Sequence, residues 1–154
     1  MPSINAIHPG SSQQGNILVN PEPRDIQNRQ DIERLVTAFY GRLFEDPVLG
    51  PVFRDVARVD LAHHIPIFTD FWENILFRTG AYPGGFMAVH MRLVMMTPLG
   101  TQHVQRWLDY WEENMDQLFS GPNATLAKVH ANRVGLTLGQ RLEMISANYH
   151  AVAE

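Results

Sequence analysis

The chain has 154 residues, 45% of them apolar, no cysteine and a formal net charge of −4. That is one domain's length with enough apolar content for a core, and the missing cysteines exclude disulfides and thiolate metal ligands. The acidic balance and the lack of a lysine or arginine cluster argue against nucleic acid. No apolar run approaches the ~20 residues of a membrane span, so no membrane role is expected.

Residues 1–24 contain PGSSQQGN and PEP. Such a composition buries little surface and predicts a flexible N-terminal extension ahead of a domain over 25–154. The N-terminus has neither a basic region nor an apolar h-region, so a cytoplasmic location is expected.

From Asp31, a candidate N-cap, apolar residues recur at helical steps: Ile32, Leu35, Val36, Phe39, Leu43 and Phe44. Tyr40 lies four residues after Val36 and four before Phe44, which puts it on the same inner face. Asp46-Pro47 is an N-cap followed by a first-turn proline and should open a short helix or turn through Val52 and Phe53. Asp60 can cap the next helix, with Leu61, His64, Ile65, Phe68, Phe71, Trp72, Ile75 and Leu76 on its apolar side. Pro66 should kink that helix or delay its start.

Gly80, Pro83, Gly84 and Gly85 make a loop. A short apolar helix over Phe86–Leu93, holding His90, ends before Pro98. Thr101 caps a strongly amphipathic helix with Val104, Trp107, Leu108, Trp111, Met115, Leu118 and Phe119. Gly121-Pro122 breaks it. Asn123 opens the last helix, with Leu126, Val129, Val134, Leu138, Leu142, Ile145 and Tyr149. There is no convincing strand alternation and no internal repeat. The expected fold is all-α, with four long helices and two short ones.

Apolar stripes at this spacing are ordinary core. Taken singly, Tyr40, His64, His90 and Trp107 also read as core residues, with His63 or His64 turned to water. Together they are four polar-tipped groups on the inner faces of four segments. A buried hydroxyl, imidazole or indole N–H each needs a partner, and a histidine among apolar neighbours suits a neutral metal ligand better than an ion. The set points to a site. His8, His103, His130 and His150 read as surface residues.

The stretch DIQNRQDIERLVTAFYGRLFEDPVLGPVF, then HHIPIFTDFW, VHMRL and RWLDYW, resembles the truncated (two-over-two) haemoglobins, most closely their third group. The resemblance runs from about Asp25 to Met144. It rests on Phe39-Tyr40 ahead of LGPVF, on His64 eight residues before Trp72, and on the lone His90 followed by Arg106-Trp107-Leu108. It implies a globin-like two-over-two helical sandwich holding haem b (Fe-protoporphyrin IX), with His90 as the proximal iron ligand. By the same resemblance Tyr40, His64 and Trp107 are the polar distal positions, Phe53 packs on the haem, and Phe68 and Phe71 line the distal wall. Arg92 reads either as a partner of a haem propionate or as a solvated arginine.

The ligands so implied are O2, NO, CO or peroxide. Distal donors aimed at a partly negative bound oxygen favour tight binding and slow release. That suits redox chemistry, such as NO dioxygenation to nitrate or peroxidase-type turnover with an unidentified reductase, better than bulk O2 transport. A non-catalytic gas sensor or store is the alternative, and a haem-free helical module is a third reading. A monomer or weak dimer is expected.

Overall fold

The computed structural model describes residues 22–152, without the side chains of 146 and 149–152. The flexible extension predicted for residues 1–24 therefore falls mostly outside the described residues, as does the side chain of Tyr149. Arg24 is described, and it is already part of the domain. Its guanidinium holds Asp31 at 2.7 Å, and its carbonyl accepts from the Ser120 N–H.

Helix α1 (Arg29–Glu45) begins three residues earlier than its periodicity indicates. Asn28, not Asp31, is the N-cap, and its side chain accepts from the Asp31 N–H at 3.0 Å. Asp31 stands in the first turn. Its carboxylate accepts from the Gln27 N–H and from Arg24, and these bonds hold it below the usual carboxylate range. Ile32, Leu35, Val36, Phe39 and Leu43 are fully buried, and each such side chain contributes about 1.5–3 kcal/mol.

Asp46 caps the next turn as expected, accepting from the Val48 and Leu49 N–H groups. A short α2 (Leu49–Pro51) runs into a π-helical turn at Val52–Val56. Asp60 caps α3 (Leu61–Phe77) through the Ala62 N–H. Pro66 sits inside α3, exposed, and does not delay its start. A ring facing water avoids neighbours and costs only the missing hydrogen bond.

Gly84 and Gly85 both have φ near +90° and lead into α4 (Phe86–Met96), which is longer than the expected Phe86–Leu93. Helix α5 (Thr101–Leu118) is capped by Gly100, not Thr101, with His103 Nδ1 accepting the Gly100 N–H at 3.2 Å. Helix α6 (Pro122–Val152) starts at Pro122, one residue before Asn123. Its orphan N–H groups at Asn123 and Ala124 donate to Asp25, 98 and 99 residues away.

The buried stripe of α6 also differs from expectation. Leu126 and Val129 are exposed, while Ala124, Ala127 and Ala131 are buried. Gly135 and Gly139 continue that stripe. A Cβ on Gly135 would meet Leu108 and Val104 at 3.1 Å. The small residues let α6 lie close against α5.

The described residues form helices only. The α1–α3 pair lies over the α5–α6 pair, and α4 packs on α6. This is the two-over-two sandwich. Its core has two parts: a large cluster built on α1, α3, α5 and the start of α6, and a small one of Val94, Leu99, Leu138 and Leu142 beneath α4.

Candidate functional site

Tyr40, on the inner face of α1, stacks on Phe68 of α3 with ring centroids 4.2 Å apart. Phe53, from the π-helical turn, meets Tyr40 edge-on at 5.8 Å, and His64 tilts against Phe68 at 5.7 Å. Burial pushes the Tyr40 hydroxyl well above its ordinary pKa, and the Trp107 indole N–H beside it pulls weakly the other way. The hydroxyl is therefore protonated at any physiological pH. An indole N–H can only donate, so in any bond between the two the Tyr40 oxygen accepts and its own proton is left to donate elsewhere.

Trp107 is held there by a contact that sequence reading did not anticipate. The Asp46 carboxylate is fully buried, and it binds its neighbours Arg106 (2.7 Å, through two nitrogens) and Tyr110 (2.6 Å) on α5. One side chain thus caps α2 and clamps α5 one residue from Trp107. The Arg106 guanidinium, first, and then the Tyr110 hydroxyl hold the Asp46 carboxyl far below the usual carboxylate range. The sequence signal was present: an Arg and a Tyr at i and i+4 share one face of α5.

Both inward histidines are fixed in the same tautomer. His64 Nδ1 lies 2.9 Å from the Asp60 carbonyl, and His90 Nδ1 lies 2.7 Å from the Phe86 carbonyl. A carbonyl only accepts, so each Nδ1 carries a proton, and in the neutral form of each ring the lone pair is on Nε2. His90 Nε2 has no hydrogen-bond partner among the described residues. Desolvation lowers the His90 pKa, opposed by the Phe86 bond, so the ring is neutral near pH 7. His90 also leans on Phe86 at 4.4 Å, and Phe86 stacks on Phe71 of α3 at 5.5 Å. That ring pair joins α4 to α3.

Contacts thus link Tyr40, Phe53, His64, Phe68 and Trp107 in one cluster, and His90, Phe86 and Phe71 in another, so Phe71, expected with Phe68 on the distal wall, packs with the His90 helix instead. Arg92 is exposed on α4 and forms no ion pair among the described residues. His63 faces water while His64 is half-buried. Two of the histidines read as surface residues are not: His103 caps α5, and His130 is half-buried with its ring edge to Trp72 at 6.4 Å. His8 and the His150 side chain lie outside the described residues.

No family model matches the chain. A search of curated proteins finds the group 3 truncated hemoglobin ctb of Campylobacter jejuni, 25% identical over 96 residues, which are 60% of this chain and 73% of that protein. Among solved structures, the crystal structure of the group III truncated hemoglobin from Campylobacter jejuni superposes with a TM-score of 0.69. It covers 78% of this chain and 94% of its own, at 20% identity. The chain has the fold of a group III truncated haemoglobin. In that truncated-globin frame α1 and α3 form one layer and α5 and α6 the other, and His90 stands alone on the short helix α4.

Proposed function

We propose that the chain would hold haem b between α3 and α4, with His90 Nε2 binding its iron, and would take a small gas or peroxide near Tyr40 and Trp107. The observation that carries this reading is His90 itself: a neutral imidazole among apolar neighbours, its Nδ1 anchored and its Nε2 without a partner among the described residues. No three histidine, aspartate or glutamate side chains converge on a point among the described residues. One imidazole suits a metal that arrives with its own equatorial ligands. Phe53, Phe68, Phe71 and Phe86 supply apolar walls, which suit a macrocycle.

Haem, when bound, supplies an iron centre that takes O2, NO, CO or peroxide and carries the redox change. The chain supplies the rest. His90 donates its Nδ1 proton to the Phe86 carbonyl, which keeps Nε2 basic and correctly aimed. Tyr40 stays protonated and donates toward the ligand, while the Trp107 N–H donates to the Tyr40 oxygen and fixes that direction. His64 commits its Nδ1 proton to the Asp60 carbonyl, so only Nε2 faces outward from that bond. A hydrogen bond to a charged acceptor is worth roughly 1.5–3 kcal/mol, so Tyr40→Phe should speed ligand release about 10- to 100-fold. Strong retention favours chemistry on the ligand over its delivery.

NO dioxygenation to nitrate or peroxidase-type turnover is the redox role, with reducing equivalents from a separate reductase. The test is nitrate counted over repeated additions of NO to the reduced protein under O2 with a chemical reductant. Sustained nitrate formation supports the enzyme. A single turnover without recovery makes the protein a sensor or store.

A further inference from the structure

All three tryptophans of the chain stand in one column. Trp107, at the site, is parallel to Trp111 within 3° at a centroid distance of 5.8 Å. Trp111 stacks on Trp72 at 4.3 Å and 19°. Trp72 meets the half-buried His130 of α6 at 6.4 Å. Phe39 presses its edge on both Trp107 and Trp111, at 5.4 and 4.9 Å, and holds their planes. The column runs through the large cluster from Trp107 and Trp111 on α5 to Trp72 on α3, beside His130 of α6.

Packing alone accounts for buried aromatics in contact. It does not account for the Trp111 indole N–H, which is buried and has no acceptor among the described residues. Such orphans are few in folded proteins and mark places where another demand outweighs the lost bond. An indole without a base beside it has a distinct redox property. When it loses an electron it cannot lose its proton, so the charge is not trapped there as a neutral radical and moves on to the next ring.

We propose that Trp107, Trp111 and Trp72 form a one-electron relay that carries oxidising equivalents from the site to the α6 side of the protein. This rests on the haem reading above. The oxidant is hydrogen peroxide, whose reduction takes two electrons and two protons and breaks its O–O bond to give two waters. Each electron leaves the Trp107 ring for the site. Trp111 refills Trp107, and Trp72 refills Trp111. A one-electron reductant of the phenolic or enediol class refills Trp72 near His130, releases its proton to solvent and becomes a radical. Two such donors are consumed per peroxide, and their protons balance those taken up. Trp107 touches the site, while Trp111 and Trp72 are relay residues that act through it.

The test uses the haem-loaded full chain mixed with hydrogen peroxide. It is read by freeze-quench electron paramagnetic resonance and by mass spectrometry of oxygenated tryptophan peptides. The wild type should give a tryptophanyl radical and oxygenated Trp72. Trp111→Phe keeps an aromatic ring but not an oxidisable one. It should cut Trp72 oxygenation several-fold and speed haem bleaching, and Trp111→Tyr should restore part of the flow. Trp72→Phe, a second and independent break, should leave the radical on Trp111. If Trp72 oxygenation and bleaching are unchanged in a Trp111→Phe protein with a wild-type haem spectrum, the relay is wrong and the haem site stands. A wild-type chain that takes up no haem overturns both.

Discussion

Tyr40 and Trp107 stand on α1 and α5, inside the larger of the two hydrophobic clusters, where Phe39, Leu35 and Trp111 are fully buried. His90 stands on α4, whose one buried residue is Val94. The Tyr40 side is further locked by Asp46, which ties the end of α1 to α5 through Arg106 and Tyr110. The His90 side is entered through a glycine loop, rests on a four-residue core, and exposes Val89, Met95 and Met96. The protein builds one wall of its site by its own packing. On the proposed haem reading, the other gains firmness from the group His90 holds, because a ligand that binds only the folded state stabilises it, and more so the tighter it binds.

The sharpest way to break this comparison is to truncate each core. Leu35→Ala in the large cluster should cost about 3–5 kcal/mol. Val94→Ala beneath α4 should cost about 1–2 kcal/mol, since fewer atoms go and fewer neighbours lose contact. Urea unfolding of both variants in the haem-loaded state measures the difference. Equal costs would mean that the two sides share one core.

Asp46→Ala comes next, at about 3 kcal/mol. That is the low end for a broken buried pair, because Arg106 is 40% exposed and water takes over its charge. The pH dependence follows from the lowered Asp46 pKa. In the folded state the carboxylate stays ionised where an unfolded one, with a pKa of about 3.9, takes up a proton. The stabilisation is full above that unfolded value and is lost as pH falls below it toward the folded one. Acid titration of wild type against Asp46→Ala should therefore show the gap in stability closing below about pH 4.

Arg92→Ala is the smallest effect. An exposed arginine pairing with a propionate at the surface is worth up to about 1 kcal/mol. Haem dissociation should thus accelerate at most about fivefold, with urea stability unchanged. A larger loss would give Arg92 a structural part that its exposure on α4 does not indicate.

Much of this was legible in the chain. Helical spacing marked all four long helices, the Asp46 and Asp60 caps read directly, and a lone histidine in an apolar helix stood out without a structure. What escaped were contacts between residues far apart and stripes without hydrophobicity. Asp25 caps α6 from the other end of the domain, and no local pattern announces it. Beside the expected Leu138 and Leu142, the face of α6 that packs includes Ala127, Ala131, Gly135 and Gly139, small residues that a hydropathy pattern ranks below the exposed Leu126 and Val129. Asp46 read as a cap alone, since only the folded chain brings Arg106 and Tyr110 to it. For the candidate site residues, the sequence offers residue types but not proton positions. The bonds to the Asp60 and Phe86 carbonyls decide that both imidazoles, when neutral, offer Nε2 lone pairs.

The central claim is that His90 is the axial ligand of a bound haem. It is tested most directly by the absorption spectra of the ferric, ferrous and CO-bound forms of wild type and His90→Ala, each reconstituted with haem and checked for helix content. The account predicts a Soret band in the wild type that shifts on reduction and on CO addition, and a His90→Ala protein that is helical but has lost or displaced that band. A helical His90→Ala protein with a wild-type Soret band in all three forms would contradict it.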